Sequence, residues 1–376
     1  MFMCFKKLIV ICMLIFLPGM TGATVAAELP EPLSLISKSI VSVSLRDRNG
    51  EELASATGFI VSEQGIVATS YFAVSRWKEP ANSLVLKTFD GTKLVAEEVI
   101  AADASQGIAL LRTTETALPA LRLQPEYTFN KDTACYVVGG PAGPRPLLLK
   151  GKIRKRLPGG EVVEIAARLS QESRGAPVLN HLGEVVAVVA HPLEKSGSSG
   201  VAVTGAVVRN MLLEYRTRLL SRAWFELGLL YDAERGRAPD AAAAFKEAAR
   251  LDPDYIEAYN NLSVVYGKAG KYEESVGVLR QVLALKPDFV EANFNLGIAY
   301  NRLGKYPEAV AVFQKLLGVR PNDADAHYLL SVAYLGLKDY TAARKELEVL
   351  SILDMRLSGK LEKLLVSGER TGNPGK

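Results

Sequence analysis

The residues with the clearest chemical potential lie between Leu169 and Val189, LSQESRGAPVLNHLGEVVAVV. Ser170 and Ser173 supply hydroxyls, Glu172 a carboxylate and Arg174 a guanidinium, with Gly175 and Pro177 close behind. A hydroxyl attacks well only when a base takes its proton, and an imidazole held by a carboxylate is the usual base. The chain has three histidines, His181, His191 and His327, so none precedes position 181. Lysine is another base for serine, but no motif ties Lys150 or Lys152 to these hydroxyls. His181 falls in a polar turn, Asn180 to Glu184, and His191 ends an apolar run ahead of Pro192. Neither has a carboxylate or cysteine at ligand spacing, so no metal and no cofactor are expected.

The elements that must position this loop are short and rich in β-branched residues. VSVSL (41–45), ATGFIVS (56–62), GIVATSYFAV (65–74), SLVLKTF (83–89) and KLVAEEVIAA (93–102) read as strands. Asn49-Gly50 and Asp90-Gly91 mark tight turns between them. IALLRT, CYVVGG and EVVEIAA continue the pattern, which argues for an all-β barrel or sandwich.

Segment 169–189 resembles the nucleophile loop of trypsin-like proteases of the HtrA/Deg type, G-N-S-G-G-P-L-x-N-x-x-G-E-V-x-G. Gly175, Pro177, Asn180, Gly183, Glu184 and Val185 are in register, and Arg174 stands at the serine position. ATGFIVSEQGIVATSYFAV is similar to the family's S-G-F-[IV]-[IV]-S-x-x-G-x-[IV]-[LV]-T-N-x-H-V-V, with Thr69 kept and Phe72 at the general-base histidine. In VLKTFDGTKLVAEEVIAADASQGIALLR, Asp103 matches the first, non-catalytic aspartate and Gly107 the triad aspartate. YVVGGPAGPRPLLLKGKI and GSSGVAVTGAVVRNMLLEY resemble the later strands and the exit helix. The resemblance implies a double β-barrel from Leu33 to Arg218. It also implies that the triad positions hold Phe72, Gly107 and Arg174, leaving no catalytic residue. Because the family order is His, Asp, Ser, no register supplies a base upstream of the loop. Glu172 replaces the first glycine of the motif, which stiffens the backbone and puts a carboxylate near a developing oxyanion. An inactive domain is therefore expected; the alternative is an active serine endopeptidase of the cell envelope using a non-standard constellation. Arg174 is expected to block the old cleft, with Glu172 as its partner.

After Arg218 the apolar period becomes helical and repeats every 34 residues. Tyr259, Leu262, Ser263, Tyr266, Ser275, Leu279 and Pro287 recur as Asn293, Leu296, Gly297, Tyr300, Ala309, Phe313 and Pro321. This is similar to the tetratricopeptide repeat, and predicts an all-α solenoid over 219–365 with copies at about 222–255, 256–289, 290–323 and 324–357. A capping helix is expected at Lys360 to Val366, then a polar tail over 366–376. The HtrA family carries PDZ domains in this place, so a different peptide-binding module is implied. The expected partners are proteins or peptides held in the groove by Asn261, Asn295, Phe294, Ile298, Arg302 and Tyr328. Asn261 and Asn295 are equivalent positions, open to two readings: rungs of a ladder that holds a peptide backbone, or residues merely tolerated there.

Lys6 and Lys7, the apolar run Leu8 to Leu17 and the small residues to Ala27 read as a signal peptide over 1–27. Ten apolar residues are too few to span a bilayer, and membrane contact is expected only if the segment is retained. A periplasmic or cell-envelope location follows. Removing Lys6 and Lys7 leaves 43 basic against 41 acidic residues, which gives no electrostatic case for nucleic acid. Cys135 alone remains in the mature chain, so no internal disulfide is possible. KGKIRKR (150–156) reads as a solvated strand face or as a site for an acidic or anionic-lipid partner.

Overall fold

The β-branched runs of the N-terminal half pair as strands, some alternating a buried with a more exposed face, as Ile40–Arg46 and Val162–Ala166 do, and others, such as Ile66–Ser70, buried along their whole length. The computed structural model describes residues 33–79, 82–139, 147–193 and 199–372. The signal-peptide reading over 1–27 lies outside the described residues. A helix α1 (Leu33–Ser39) leads into β1 (Ile40–Arg46), β2 (Glu52–Ser62), β3 (Ile66–Ser70) and a one-turn helix α2 (Tyr71–Val74). β4 (Ser83–Thr88), β5 (Lys93–Leu94), β6 (Ala96–Asp103) and β7 (Ile108–Thr113) follow. These seven strands form an antiparallel sheet in the order β5-β4-β1-β2-β3-β7-β6. Val41, Val43, Ile60, Val67, Leu86 and Leu111 fill its core.

β8 (Thr133–Val138), β9 (Leu148–Arg156), β10 (Val162–Ala166), β11 (Pro177–Leu179), β12 (Val185–Leu193) and β13 (Ser199–Thr204) close a six-stranded barrel. Val137, Ile153, Ile165, Val178 and Val189 pack inside it, with Cys135. The fold class is as the sequence implies, with one difference of detail. Only this second sheet closes by hydrogen bonding; the first has no ladder between its outer strands β5 and β6 among the described residues. With two residues, β5 is too short to supply one.

The turns explain the register. At Asn49-Gly50, the Asp47 carboxylate accepts from the Asn49 and Glu51 N–H groups at 2.8 and 2.9 Å, and Gly50 takes a positive φ of 80°. Asn180 does the same for the β11–β12 hairpin, accepting from the Leu182 and Glu184 N–H groups at 2.9 and 3.0 Å. One element departs from the strand expected over 65–74. β3 stops at Ser70, whose hydroxyl accepts from the Phe72 N–H at 3.3 Å and caps α2, so that Ala73 and Val74 can be buried.

Burial pushes the Cys135 thiol up to about 12. The thiol therefore stays protonated at neutral pH, and the thiolate is the reactive form. Native protein should leave Cys135 unlabelled by a thiol-specific reagent at pH 8, while the same protein in denaturant labels fully. Peptide mapping that finds rapid native labelling would contradict this.

The chain divides into two compact units, residues 1–211 and 212–376. The division precedes the Arg218 boundary read from the sequence because one helix, α3 (Gly205–Ala233), runs through it and offers no loop to mark it. α4 (Ala238–Leu251), α5 (Ile256–Lys268), α6 (Tyr272–Leu285), α7 (Val290–Arg302), α8 (Tyr306–Val319), α9 (Ala324–Gly336) and α10 (Tyr340–Leu353) alternate at the repeat period. Paired helices approach closely where a small residue faces a ring. A β-carbon on Gly297 would lie 2.5 Å from the Phe313 ring, and one on Gly228 would lie 2.6 Å from Phe245. The last helix, α11 (Met355–Gly372), is longer than the capping helix expected at 360–366, so most of the expected polar tail is helical. Asp354 starts it, accepting from the Arg356 and Leu357 N–H groups at 2.8 and 3.0 Å. Leu357, Leu361 and Leu365 then form a buried stripe four residues apart.

Candidate functional site

The loop before β11 is built as a three-residue 3₁₀ turn, Gln171–Ser173, docked on the first sheet. Thr57 of β2 donates its hydroxyl to the Glu172 carbonyl at 2.8 Å and its N–H to the Arg174 carbonyl at 2.9 Å. Thr69 of β3 steadies Thr57 by donating to its carbonyl at 2.9 Å. Gly175 then turns the chain with a φ of +77° and donates to the Val189 carbonyl at 2.7 Å. The Ser173 hydroxyl is buried and accepts from the Ser170 N–H at 3.1 Å. Among the described residues, neither Ser170 nor Ser173 is hydrogen-bonded to an imidazole or to Lys150 or Lys152, which are exposed on β9. A loop that stabilises an oxyanion uses the N–H of its nucleophile position. Here the Arg174 N–H donates back to the Gln171 carbonyl at 3.3 Å.

Folding brings Phe72, Gly107 and Arg174 together. The Tyr71 N–H donates to the Gly107 carbonyl at 2.9 Å, which joins α2 to the start of β7. The Arg174 guanidinium lies over the half-exposed Phe72 ring, 4.7 Å from its centroid. Asp103 shapes the turn that carries Gly107, accepting from the Ser105 and Gln106 N–H groups at 2.9 Å each. The Ser105 hydroxyl bond, then that of Gln106, holds the Asp103 carboxyl below its ordinary range.

Two features of this site escape sequence reasoning. Gly107 has a φ of +72°, and a β-carbon there would stand 3.1 Å from Nε2 of His191. An imidazole thus lies against Gly107, the position that the sequence resemblance matches to the triad aspartate, delivered by a register shift in the β12–β13 pairing between Val189 and His191. Partial burial, then the charge of Arg174, lowers its pKa and favours the neutral ring. The second feature corrects the expected Arg174–Glu172 pair, which is absent among the described residues. Side chains two apart in a 3₁₀ turn point in different directions. Glu172 instead lines a cavity of about 160 Å³ with Arg46, Glu52 and Lys87, while Arg174 turns to Phe72. His181 is exposed in its turn.

In the helical unit, four of the six expected groove residues line two adjoining cavities. Phe294 and Asn295 border one of about 300 Å³; Asn295, Ile298 and Arg302 border another of about 270 Å³. Asn261 and Tyr328 border neither. The Asn261 amide donates to the Glu257 carbonyl of its own helix at 2.8 Å, and Tyr328 packs against the cluster around Ala343 and Leu350. Asn295 donates to Oδ1 of Asn260 on the neighbouring α5 at 3.2 Å. The signal for Asn260 was an amide at a repeat position that is aromatic in the next two copies, Phe294 and Tyr328.

Comparison with known families fits this geometry. Residues 56–188 match the trypsin-like peptidase domain, while residues 232–270, 261–319 and 302–350 match tetratricopeptide repeats. The chain carries a trypsin-like peptidase domain followed by tetratricopeptide repeats. A curated relative is the probable periplasmic serine endoprotease DegP-like of Halomonas elongata, 25% identical over 227 residues, or 56% of this chain and 46% of that protein. A protein of the same description from Ectopseudomonas mendocina is 27% identical over 158 residues, 40% of this chain and 32% of its own. The anti-sigma-I factor RsgI9 of Acetivibrio thermocellus is 27% identical over 174 residues, 45% of this chain and 24% of its own. The chain thus spans a quarter to under half of these relatives' lengths. The serine endoprotease of Yersinia pestis, a solved structure, aligns with a TM-score of 0.43 at 18% identity over 50% of this chain and 68% of that one. Trypsin-like domain and repeats together support a role in protein interaction. Among the described residues, no helix is long and apolar enough to cross a membrane.

Proposed function

We propose that the protein is an exported, protein-binding scaffold whose trypsin-like domain no longer cleaves peptides and whose repeats capture a partner. The observation that carries the first half is the convergence of Phe72, Gly107 and Arg174, with the guanidinium stacked on the ring. A hydroxyl, a base and an orienting carboxylate are needed there, and a phenyl, a glycine and a cation supply none of them. The absence of any histidine before residue 181 supports the same reading. Export rests on the basic, apolar and small-residue order of the first 27 residues, and the envelope is the compartment named for its DegP-like relatives.

A competing reading, an active endopeptidase with a non-standard constellation, has His191 in its favour. Its weakness is the hydroxyl, since Ser173 is buried and faces Ser170. One experiment decides between them. Purified full-length protein should take up no fluorophosphonate probe and leave unfolded casein intact, with Ser173→Ala and His191→Ala indistinguishable from the parent. Labelling that disappears in either variant would establish the enzyme.

A further inference from the structure

The Asn260–Asn295 contact stands between two cavities of opposite charge. On one side Glu291, Asp323 and Asp325 face a single guanidinium, Arg320. Arg320 approaches Glu291 only to 3.8 Å, and both side chains are half exposed. Asp323 commits one oxygen to the Ala326 N–H at 3.0 Å, capping α9. Asp325 is exposed, with no ion-pair partner among the described residues. On the other side stand Lys268 and Arg302. Lys268 is held by Asp232 at 2.7 Å, which leaves Arg302 as the cation without an ion pair among the described residues.

Between these ends the amides are matched to a peptide unit. A primary amide carries two N–H donors and an acceptor oxygen. Asn295 uses its nitrogen on Asn260, so its own oxygen remains to accept and the Asn260 nitrogen remains to donate. A donor and an acceptor side by side are what an extended backbone requires.

We infer that this groove binds an extended peptide from a protein partner, with a basic side chain at the Asp325 end and a carboxylate at Arg302. The Asn260–Asn295 pair holds the backbone between them. The inference rests on the reading that the repeats capture peptides, and adds the charge layout that they select. Glu291, which borders the same acidic cavity as Asp325 and marks that end of the groove on α7, lies about 16 Å from Arg302 along the helix at the rise of ~1.5 Å per residue. An extended chain covers that in about five residues at ~3.3 Å each. The two charges should therefore be about five positions apart.

The test uses full-length protein and an array of dodecapeptides of Ser, Ala and Leu. Each peptide carries one Lys and one Asp at separations from one to nine, in both orders. Binding should peak near a separation of five and fall about tenfold when either charge is removed or when Asn295 becomes alanine. Because all three positions are on the groove surface, Arg302→Glu, Asp325→Lys and Asn295→Ala should keep the parent's helical circular dichroism. In the Arg302→Glu, Asp325→Lys double variant the preferred order of Lys and Asp should reverse. Binding that ignores charge separation, or an order preference that the double variant does not move, overturns the inference. Charge-independent binding still lost in Asn295→Ala leaves the groove as the capture site and removes only the charge layout. Failure of every peptide to bind removes both.

Discussion

Gly175→Ala should destabilise the trypsin-like domain by about 3 kcal/mol or more, a large effect for a single methyl group. Two costs coincide at this position. A side chain at a φ of +77° costs roughly 1–2 kcal/mol by itself. The new β-carbon would also lie 2.2 Å from the Thr57 carbonyl oxygen and 2.5 Å from the Ser70 nitrogen. Both are backbone atoms of the first sheet, and neither can swing aside as the tip of a side chain would. Relief requires the loop to lift, which breaks the Gly175–Val189 and Thr57–Arg174 bonds at roughly 1 kcal/mol each. Gly50 and Gly91 are the controls, with φ of 80° and 90° and open space around both. Alanine there should cost only about 1 kcal/mol. Urea unfolding followed by near-ultraviolet circular dichroism separates the cases, and equal losses at all three glycines would refute the close docking of the loop.

The same comparison shows why parts of this molecule can be read from its sequence and parts cannot. Asp90-Gly91 and Asn49-Gly50 announce turns because the constraint is local and a single dipeptide satisfies it. The repeats are equally legible, since Gly297 and Phe313 recur two copies earlier as Gly228 and Phe245, with one residue inserted between them, so the period marks both sides of each contact. Convergence of Phe72, Gly107 and Arg174 is legible only through resemblance, because nothing local links three distant segments. His191 escapes even that. Its place beside Gly107 depends on a register shift within one strand pair, which leaves no mark in residue spacing. Asn260 escapes for a different reason. Repeat equivalence says which residues occupy the same place in successive copies, as Asn261 and Asn295 do, and not which residues touch across the interface. The amide partner of Asn295 comes from the residue one step earlier, while Asn261 turns back on its own helix.

In the repeats, the decisive contact is between Gly297 and Phe313, and its test is a change of sign. Phe313 is fully buried, and its ring packs on Gly297 and edge-on to Phe294 at a centroid distance of 6.2 Å. Phe313→Ala removes that ring from a closed core and should cost about 3–5 kcal/mol. Gly297→Ala alone pushes a methyl group into the ring, an overpacking that costs typically 1–3 kcal/mol. Alanine's better helix propensity offsets roughly 1 kcal/mol of that loss. The net effect in the parent should be a loss of about 0–2 kcal/mol. In the Phe313→Ala background the ring is gone, so the overpacking vanishes while the propensity gain remains. Gly297→Ala should then stabilise the protein by about 1 kcal/mol. Reversal of sign at one site, read from urea melts at 222 nm, reports a contact that neither single variant can isolate. Asn295→Ala serves as the reference, because among the described residues its partly buried amide bonds only to Asn260 and its loss should leave the melt nearly unchanged. If Gly297→Ala destabilises both backgrounds equally, the close approach of α7 and α8 at this glycine is wrong.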